Sequence, residues 1–280
     1  PLFDKDEIEK ERKVVVEEIL RQKDNPGSYL FNLLSFISYE KHPYKRPVIG
    51  QADIIESVSR DIIAEYYKNH YIAKNMIIVV VGDFETNELI KKITKYFQEG
   101  GTEKKGASAS TPSDTKIKAD FKGDRITEET DFKQTYMAFG WLAPDVDNND
   151  TYATDVLSIL LGQGRSSRLY KELKEKQELC FSIGSGYSTM KDEGLFEIYA
   201  ELEEKNCETL EKKILEEVKK IKEEGILEAE LNKALTMIEN NYIYDHETNE
   251  SIASSLGYYE AISSYRLELT YIENIKNVTV

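Results

Sequence analysis

Glu11 and Glu18 stand seven residues apart in "EIEKERKVVVEEIL", residues 7 to 20, a stretch that reads as a strong helix. At about 100° per residue, with Ile8 at zero, Val15 falls near 340°, Ile19 near 20°, Val16 near 80° and Val14 near 240°. On the same wheel Glu11 and Glu18 fall at about 300° and about 280°, inside the apolar arc. A carboxylate among valines needs a cation, a hydrogen-bond donor or a metal, because an unpaired buried charge costs several kcal/mol. Three chemistries fit. Glu11 could pair with an arginine from another helix. Glu18 could act as a general base. Glu18 could also ligate zinc, with Glu11 behind it orienting the site.

The other candidate residues carry weaker signals. Of the three histidines, His42 precedes Pro43 in a loop, where a structural role is expected, and His70 ends a helix, where a cap or solvent contact is expected. His246 opens "HETNE", which has neither the spacing nor the order of H-x-x-E-H. Cys180 and Cys207 lie on different elements without C-x-x-C spacing, so neither a disulfide framework nor a thiolate metal site is indicated. "GQGRSSRLYKEL", residues 162 to 173, lacks both G-K-[ST] and G-x-G-x-x-G, so it is no phosphate loop. Its glycines suit a tight turn between helices, and Arg165 and Arg168 suit structural or interhalf contacts. The Lys/Glu-rich run 203 to 224 reads as a solvated helix face with i,i+4 pairs.

The elements that must position these residues follow from periodicity and punctuation. After "DNPG", residues 24 to 27, a second helix is expected over 28 to 40, with Leu30, Leu33, Leu34 and Ile37 at core spacing. A loop fixed by Pro43 and Pro47 leads to a third helix over 56 to 69. "NMIIVVVGDF", residues 75 to 84, has the continuous apolar character of a central buried strand, and a helix follows over 86 to 97. Residues 100 to 115 have the Gly, Ser, Thr and Pro content of a linker. Beyond it come a strand at 134 to 143, a helix at 151 to 161, and two neighbouring strands at 179 to 188 and 193 to 202. A helix at 206 to 224 follows, and then helical chain from 228 to about 264, as two helices meeting near 246 to 251. The fold class is α+β, with two sandwich domains of a mixed or antiparallel sheet covered by helices, over 1 to 99 and 116 to 280, both incomplete.

Composition excludes some partners. With 37 basic against 52 acidic residues the formal charge is −15, which disfavours nucleic acid and anionic membrane surfaces. No run of about 18 apolar residues is available to span a membrane. The expectation is a soluble protein, cytoplasmic or periplasmic, but the first residue is Pro1, so a cleaved targeting segment would leave no trace.

Four ordered motifs, "EIEKERKVVVEEIL", "HPYKRPVIG", "NMIIVVVGDF" and "GQGRSSRLYKELKEK", together resemble the insulinase/pitrilysin/mitochondrial processing peptidase family of zinc metallopeptidases. The match covers nearly the whole chain. In that family two histidines of an H-x-x-E-H helix and a distant downstream glutamate hold zinc. Matched to the family's E-x6-E pattern, Glu18 is that metal ligand and Glu11 the acid that supports it. Three protein ligands would leave a fourth position for a water whose pKa falls toward about 7. The resemblance implies an endopeptidase that hydrolyses unfolded peptides in an enclosed chamber formed with a homologous second half or a partner chain, as a homo- or heterodimer.

Two departures qualify it. The family places H-x-x-E-H roughly seventy to eighty residues before the distal glutamate, and only 17 residues precede Glu18 here. The expectation is therefore a central fragment with no catalytic residue of its own, which alone would neither retain Zn2+ nor cleave peptides. The family's substrate-gripping R-x6-Y pair falls on Lys174 and Phe181, which lack the guanidinium fork and the hydroxyl. The retained Glu11 and Glu18 together with this substitution suggest the zinc-bearing half. The alternative is a non-catalytic peptide-binding or assembly subunit of the same fold.

Overall fold

A computed structural model describes residues 1–99 and 116–280. The expected linker at 100 to 115 lies outside the described residues.

Asp4 caps the first helix by accepting from the Asp6 and Glu7 amides, so α1 runs Lys5–Asp24. Asn25 ends it and caps α2, Pro26–Ser38, by accepting from the Ser28 amide at 2.9 Å, with Pro26 preset for the first turn. Two short helices, α3 (Ala52–Ser57) and α4 (Arg60–His70), follow, then α5 (Thr86–Glu99).

The second half centres on a three-stranded antiparallel sheet. Strands β1 (Thr135–Ala143), β2 (Ser182–Tyr187) and β3 (Gly194–Leu202) lie in the order β1-β3-β2. Helix α6 (Asp150–Gly162) joins β1 to a π-helical segment, Tyr170–Lys176, which leads into β2. Four helices close the chain: α7 (Cys207–Glu224), α8 (Glu228–Asp245), α9 (Asn249–Ile262) and α10 (Tyr265–Lys276).

The period of two along β3 divides the core. Phe196, Ile198, Ala200 and Leu202 point one way, into a cluster with Leu161, Leu173, Leu210 and Ile214. Leu195 points the other way and joins Leu34, Tyr39 and Ala119 beneath α2. A glycine is needed where α6 meets β2: a Cβ on Gly162 would lie 2.2 Å from the Ser185 amide nitrogen. Helices α6, α8 and α10 share a further apolar cluster around Val156, Leu231 and Ile275.

Most of the expected helices and the three strands lie where the sequence placed them, and α8 and α9 meet at 246 to 248; α10 was not expected, and the third helix, expected over 56 to 69, starts at Arg60 after the separate α3. The run 75 to 84 does not become a strand. Residues 76–81 take no regular secondary structure and join no ladder, and Ile77, Ile78 and Val80 are exposed. Apolar residues alone cannot make a strand, because the main-chain groups need a neighbour to bond. Among the described residues this run has none, and it lies instead beside α9, with Val79 Cγ2 within 3.6 Å of where a Gly257 Cβ would stand.

Candidate functional site

The azimuth of α1 is set by what it buries. Ile19 is 5% exposed, while Ile8, Val15 and Val16 are half-buried. Arg12, at the centre of this face, turns its guanidinium to the end of α3. It donates to the Ile55 carbonyl and, at 2.9 Å, to the Val58 carbonyl, while Glu9 accepts at 3.3 Å. These bonds satisfy α3 carbonyls that the helix leaves open and prevent α1 from rolling.

Glu11 and Glu18 consequently point to solvent. Both are exposed, as is Val14 between them. This corrects the inward orientation expected from the helical wheel: the buried arc stops at Val15, and the two acids lie on its open flank with Val14. Neither carboxylate has an ion pair or a side-chain hydrogen bond among the described residues, and Arg12 serves α3. The two are about 10 Å apart along the axis, two helical turns. One turn beyond Glu18, Gln22 lines an open cavity of about 520 Å³ with Phe31, Asn32, Val48 and Ile49. An adjoining cavity of about 480 Å³ reaches Ile19 and Asp53.

Each histidine has structural work elsewhere. His42 is buried, and its Nδ1 accepts from the Tyr44 amide at 3.2 Å, so Nε2 carries the proton and faces the Asp192 carboxylate at 3.4 Å. His70 ends α4, stacked on Tyr66, with Nδ1 2.9 Å from the Tyr66 carbonyl oxygen. His246 bridges Tyr242 and Glu268. Among the described residues no three His, Cys, Asp or Glu converge in a way that could hold a metal. Glu18 is one oxygen donor, and these residues alone do not fit a zinc ion, which takes at least three protein ligands.

Lys174 and Phe181 flank the entry to β2. Lys174 sits in the π-helical segment with its Nζ 4.9 Å from the Tyr170 ring centroid. Phe181 is exposed, and its amide donates to the Glu201 carbonyl at 2.7 Å. Between them Glu178 takes a φ of 50°, a conformation uncommon for a residue with a side chain. Arg168 ties the segment to α8: Nε and Nη2 reach the two Glu230 oxygens at 2.7 and 2.5 Å. That is the structural contact expected of it.

Three acids wholly or partly withdrawn from solvent escaped the sequence reading. Burial pushes the Asp155 carboxyl up to about 7, against a Tyr271 hydrogen bond that pulls it down. Burial likewise pushes Glu197 up to about 7. Glu268 is 4% exposed. The signal was available for two of them: Asp155 interrupts the apolar helix "TDVLSILLG", and Glu197 breaks "LFEIYA".

Comparison with known proteins places this geometry. Residues 57–238 match the model of the peptidase M16 inactive domain. An uncharacterized zinc protease of Bacillus subtilis, YmxG, is 27% identical over 275 residues, covering 98% of this chain and 65% of its own. An uncharacterized zinc protease of Rickettsia felis is 26% identical over 279 residues, 99% of this chain and 66% of its own. The chain thus spans about two thirds of the length of these relatives. A protease from Helicobacter pylori superposes with a TM-score of 0.82 at 25% identity, covering 99% of this chain and 67% of that one. A peptidase M16 inactive domain from Pseudomonas fluorescens shares the fold with a TM-score of 0.80 at 22% identity, covering 100% of this chain and 66% of that one. Among the described residues no helix is long and apolar enough to cross a membrane.

Proposed function

The chain belongs to the M16 peptidase family, and on that premise we propose that it is part of a zinc-dependent endopeptidase acting on unfolded peptides. In the longer protein Glu18 is a zinc ligand and Glu11 supports it. The observation that carries this reading is the exposed face of α1, where two carboxylates two turns apart are held in place by Arg12. The ligand-bearing H-x-x-E-H segment lies upstream, opposite that face. In the longer protein residues 1 to 99 and 116 to 280 belong to two α+β units, and the upstream segment supplies strand partners to the exposed run 76–81. A homologous second half or partner chain closes the peptide chamber.

The test is zinc content and peptide hydrolysis of the full-length protein. It is expected to bind one zinc per chain, and Glu18→Gln is expected to abolish tight binding. Glu11→Gln, acting through the ligand it supports, is expected to cost about 10 to 100-fold in affinity or activity. Unchanged zinc in the Glu18 variant would remove Glu18 from the site. The 280-residue chain on its own is expected neither to retain stoichiometric zinc nor to cleave peptides, and one zinc per chain in it would overturn the assignment.

A second reading, a non-catalytic peptide-binding or assembly subunit, is favoured by the inactive-domain match. A full-length protein free of zinc and of an H-x-x-E-H would decide for it.

A further inference from the structure

The sheet face turned toward α2 is covered on one side and bare on the other. On it β3 presents Glu197, Tyr199 and Glu201, and in register beside them β2 presents Gly186, Gly184 and Ser182. Helix α2 closes the β1 side, where Leu34 sits over Gly140, the β1 partner of Glu197. The β2 side differs. Tyr199 leans its hydroxyl end over Gly184, where an added Cβ would lie 2.8 Å from it, while a Cβ added at Gly186 would meet nothing within 4 Å. Phe31 of α2 braces Tyr199, with ring centroids 6.1 Å apart, and the phenol still stays exposed. Glu197 thus has an aliphatic wall on one side and an opening over Gly186 on the other, with Tyr199 about 7 Å along the strand.

The carboxylate in this slot has no partner. Among the described residues neither Glu197 nor Glu201 has an ion pair or a side-chain hydrogen bond. Glu197 is half-buried, so its lost hydration is not made good by any protein group. A cation delivered by a ligand would offset that loss, and the charge of −15 on the chain gives the surrounding field the matching sign.

We infer that Glu197, Tyr199 and Gly186 form a subsite for the guanidinium of an arginine side chain in an extended peptide. The alkyl stem passes over the bare backbone at Gly186, the fork donates to the Glu197 carboxylate, and the guanidinium plane lies against Tyr199. Arginine suits the slot better than lysine, because a planar fork bonds a carboxylate through two parallel N–H groups and stacks on an aromatic ring. That the ligand is a peptide rests on the endopeptidase reading; the need for a cation rests on the sheet alone.

The test is binding of a fluorescein-labelled peptide of alanine and serine with one central arginine to the full-length protein, read by anisotropy. The control peptide carries citrulline, a neutral isostere, in place of arginine. EDTA removes zinc, so neither cleavage nor the metal enters the result, and at pH 8 Glu197 is ionised even though burial raises its carboxyl to about 7. The arginine peptide is expected to bind at least about tenfold more tightly than the citrulline peptide. Glu197→Gln should erase that difference and leave both peptides at the citrulline level. Gly186→Val, whose Cβ has room, should fold, fill the slot and also lose the arginine preference. No binding of either peptide, equal binding of the two by the wild type, or an arginine preference that survives Glu197→Gln or Gly186→Val would each overturn the subsite. A full-length protein without zinc or peptide hydrolysis would count against the endopeptidase reading and leave this comparison of peptides standing.

Discussion

Glu197 shows how one residue's surroundings set its behaviour. On β3 it stands opposite Gly140 of β1 on one side and Gly186 of β2 on the other, so neither cross-strand neighbour offers a side chain to pair with it. Its neighbours along the sheet face are Leu195 and Tyr199, and α2 lies over that face. Burial raises its carboxyl to about 7, above the unfolded value, so the protonated form is favoured by folding. The associated stability is complete below about pH 4.5 and is lost as pH rises through about 7. Glu197→Gln is expected to match the wild type near pH 4.5 and to exceed it at pH 8 by about 1–2 kcal/mol, read as the difference in urea midpoints. A difference independent of pH would show that Glu197 does not titrate in this way. At this scale the sequence revealed chemistry but not orientation. The E-x6-E spacing was visible in Glu11 and Glu18, yet their exposure depends on Arg12 reaching Ile55 and Val58, more than forty residues away.

Elements held by several side chains depend most on the residue with the most partners. Glu230 accepts from both Arg168 nitrogens and, through Oε2, from the Leu227 amide at 2.9 Å, so one carboxylate caps α8 and ties it to the π-helical segment. The Arg168 guanidinium holds its carboxyl below the usual carboxylate range. Arg168→Ala should cost about 1–2 kcal/mol, and Glu230→Ala about 1 kcal/mol more, because it also frees a first-turn amide and strands a half-buried guanidinium. Chemical denaturation of the two variants checks the order, and equal costs would mean that the cap contributes nothing. Element type was legible where periodicity and caps agreed, as in α1, α2 and α7. It failed where the decisive partner was remote. The run 75 to 84 has strand composition and no ladder. Helix α10 was missed because its inner face carries Glu268, Tyr271 and Asn274, a polar pattern that reads as surface until Asp155, Tyr152 and His246 meet it.

The largest consequence concerns how the two halves of the chain hold each other. Leu34 of α2 sits over Gly140 of β1, where an added Cβ would come within 3.1 Å of it. Residues 117 to 122 are stitched between the halves. The Lys122 amide donates to the Ser38 carbonyl at 2.8 Å, and Asp120 accepts from the Lys41 and His42 amides at 2.7 and 3.2 Å. Farther along, Tyr44 and Tyr39 bond to the turn before β3, at Asp192 and Glu193. A linker composition at 100 to 115 announced two parts but not this joint, because its bonds are long-range and mostly main-chain. A protease site inserted between 100 and 115 and then cleaved should therefore leave both pieces together, eluting as one particle in gel filtration. Leu34→Asp places a carboxylate in the dry contact beneath α2, where no cation faces it among the described residues, and the cleaved pieces should then separate. Separation of the cleaved wild type would mean that the joint is too weak to hold without the covalent link. Persistence of the cleaved Leu34→Asp complex would move the decisive contacts from the apolar face of α2 to the Asp120 and Tyr39 hydrogen bonds.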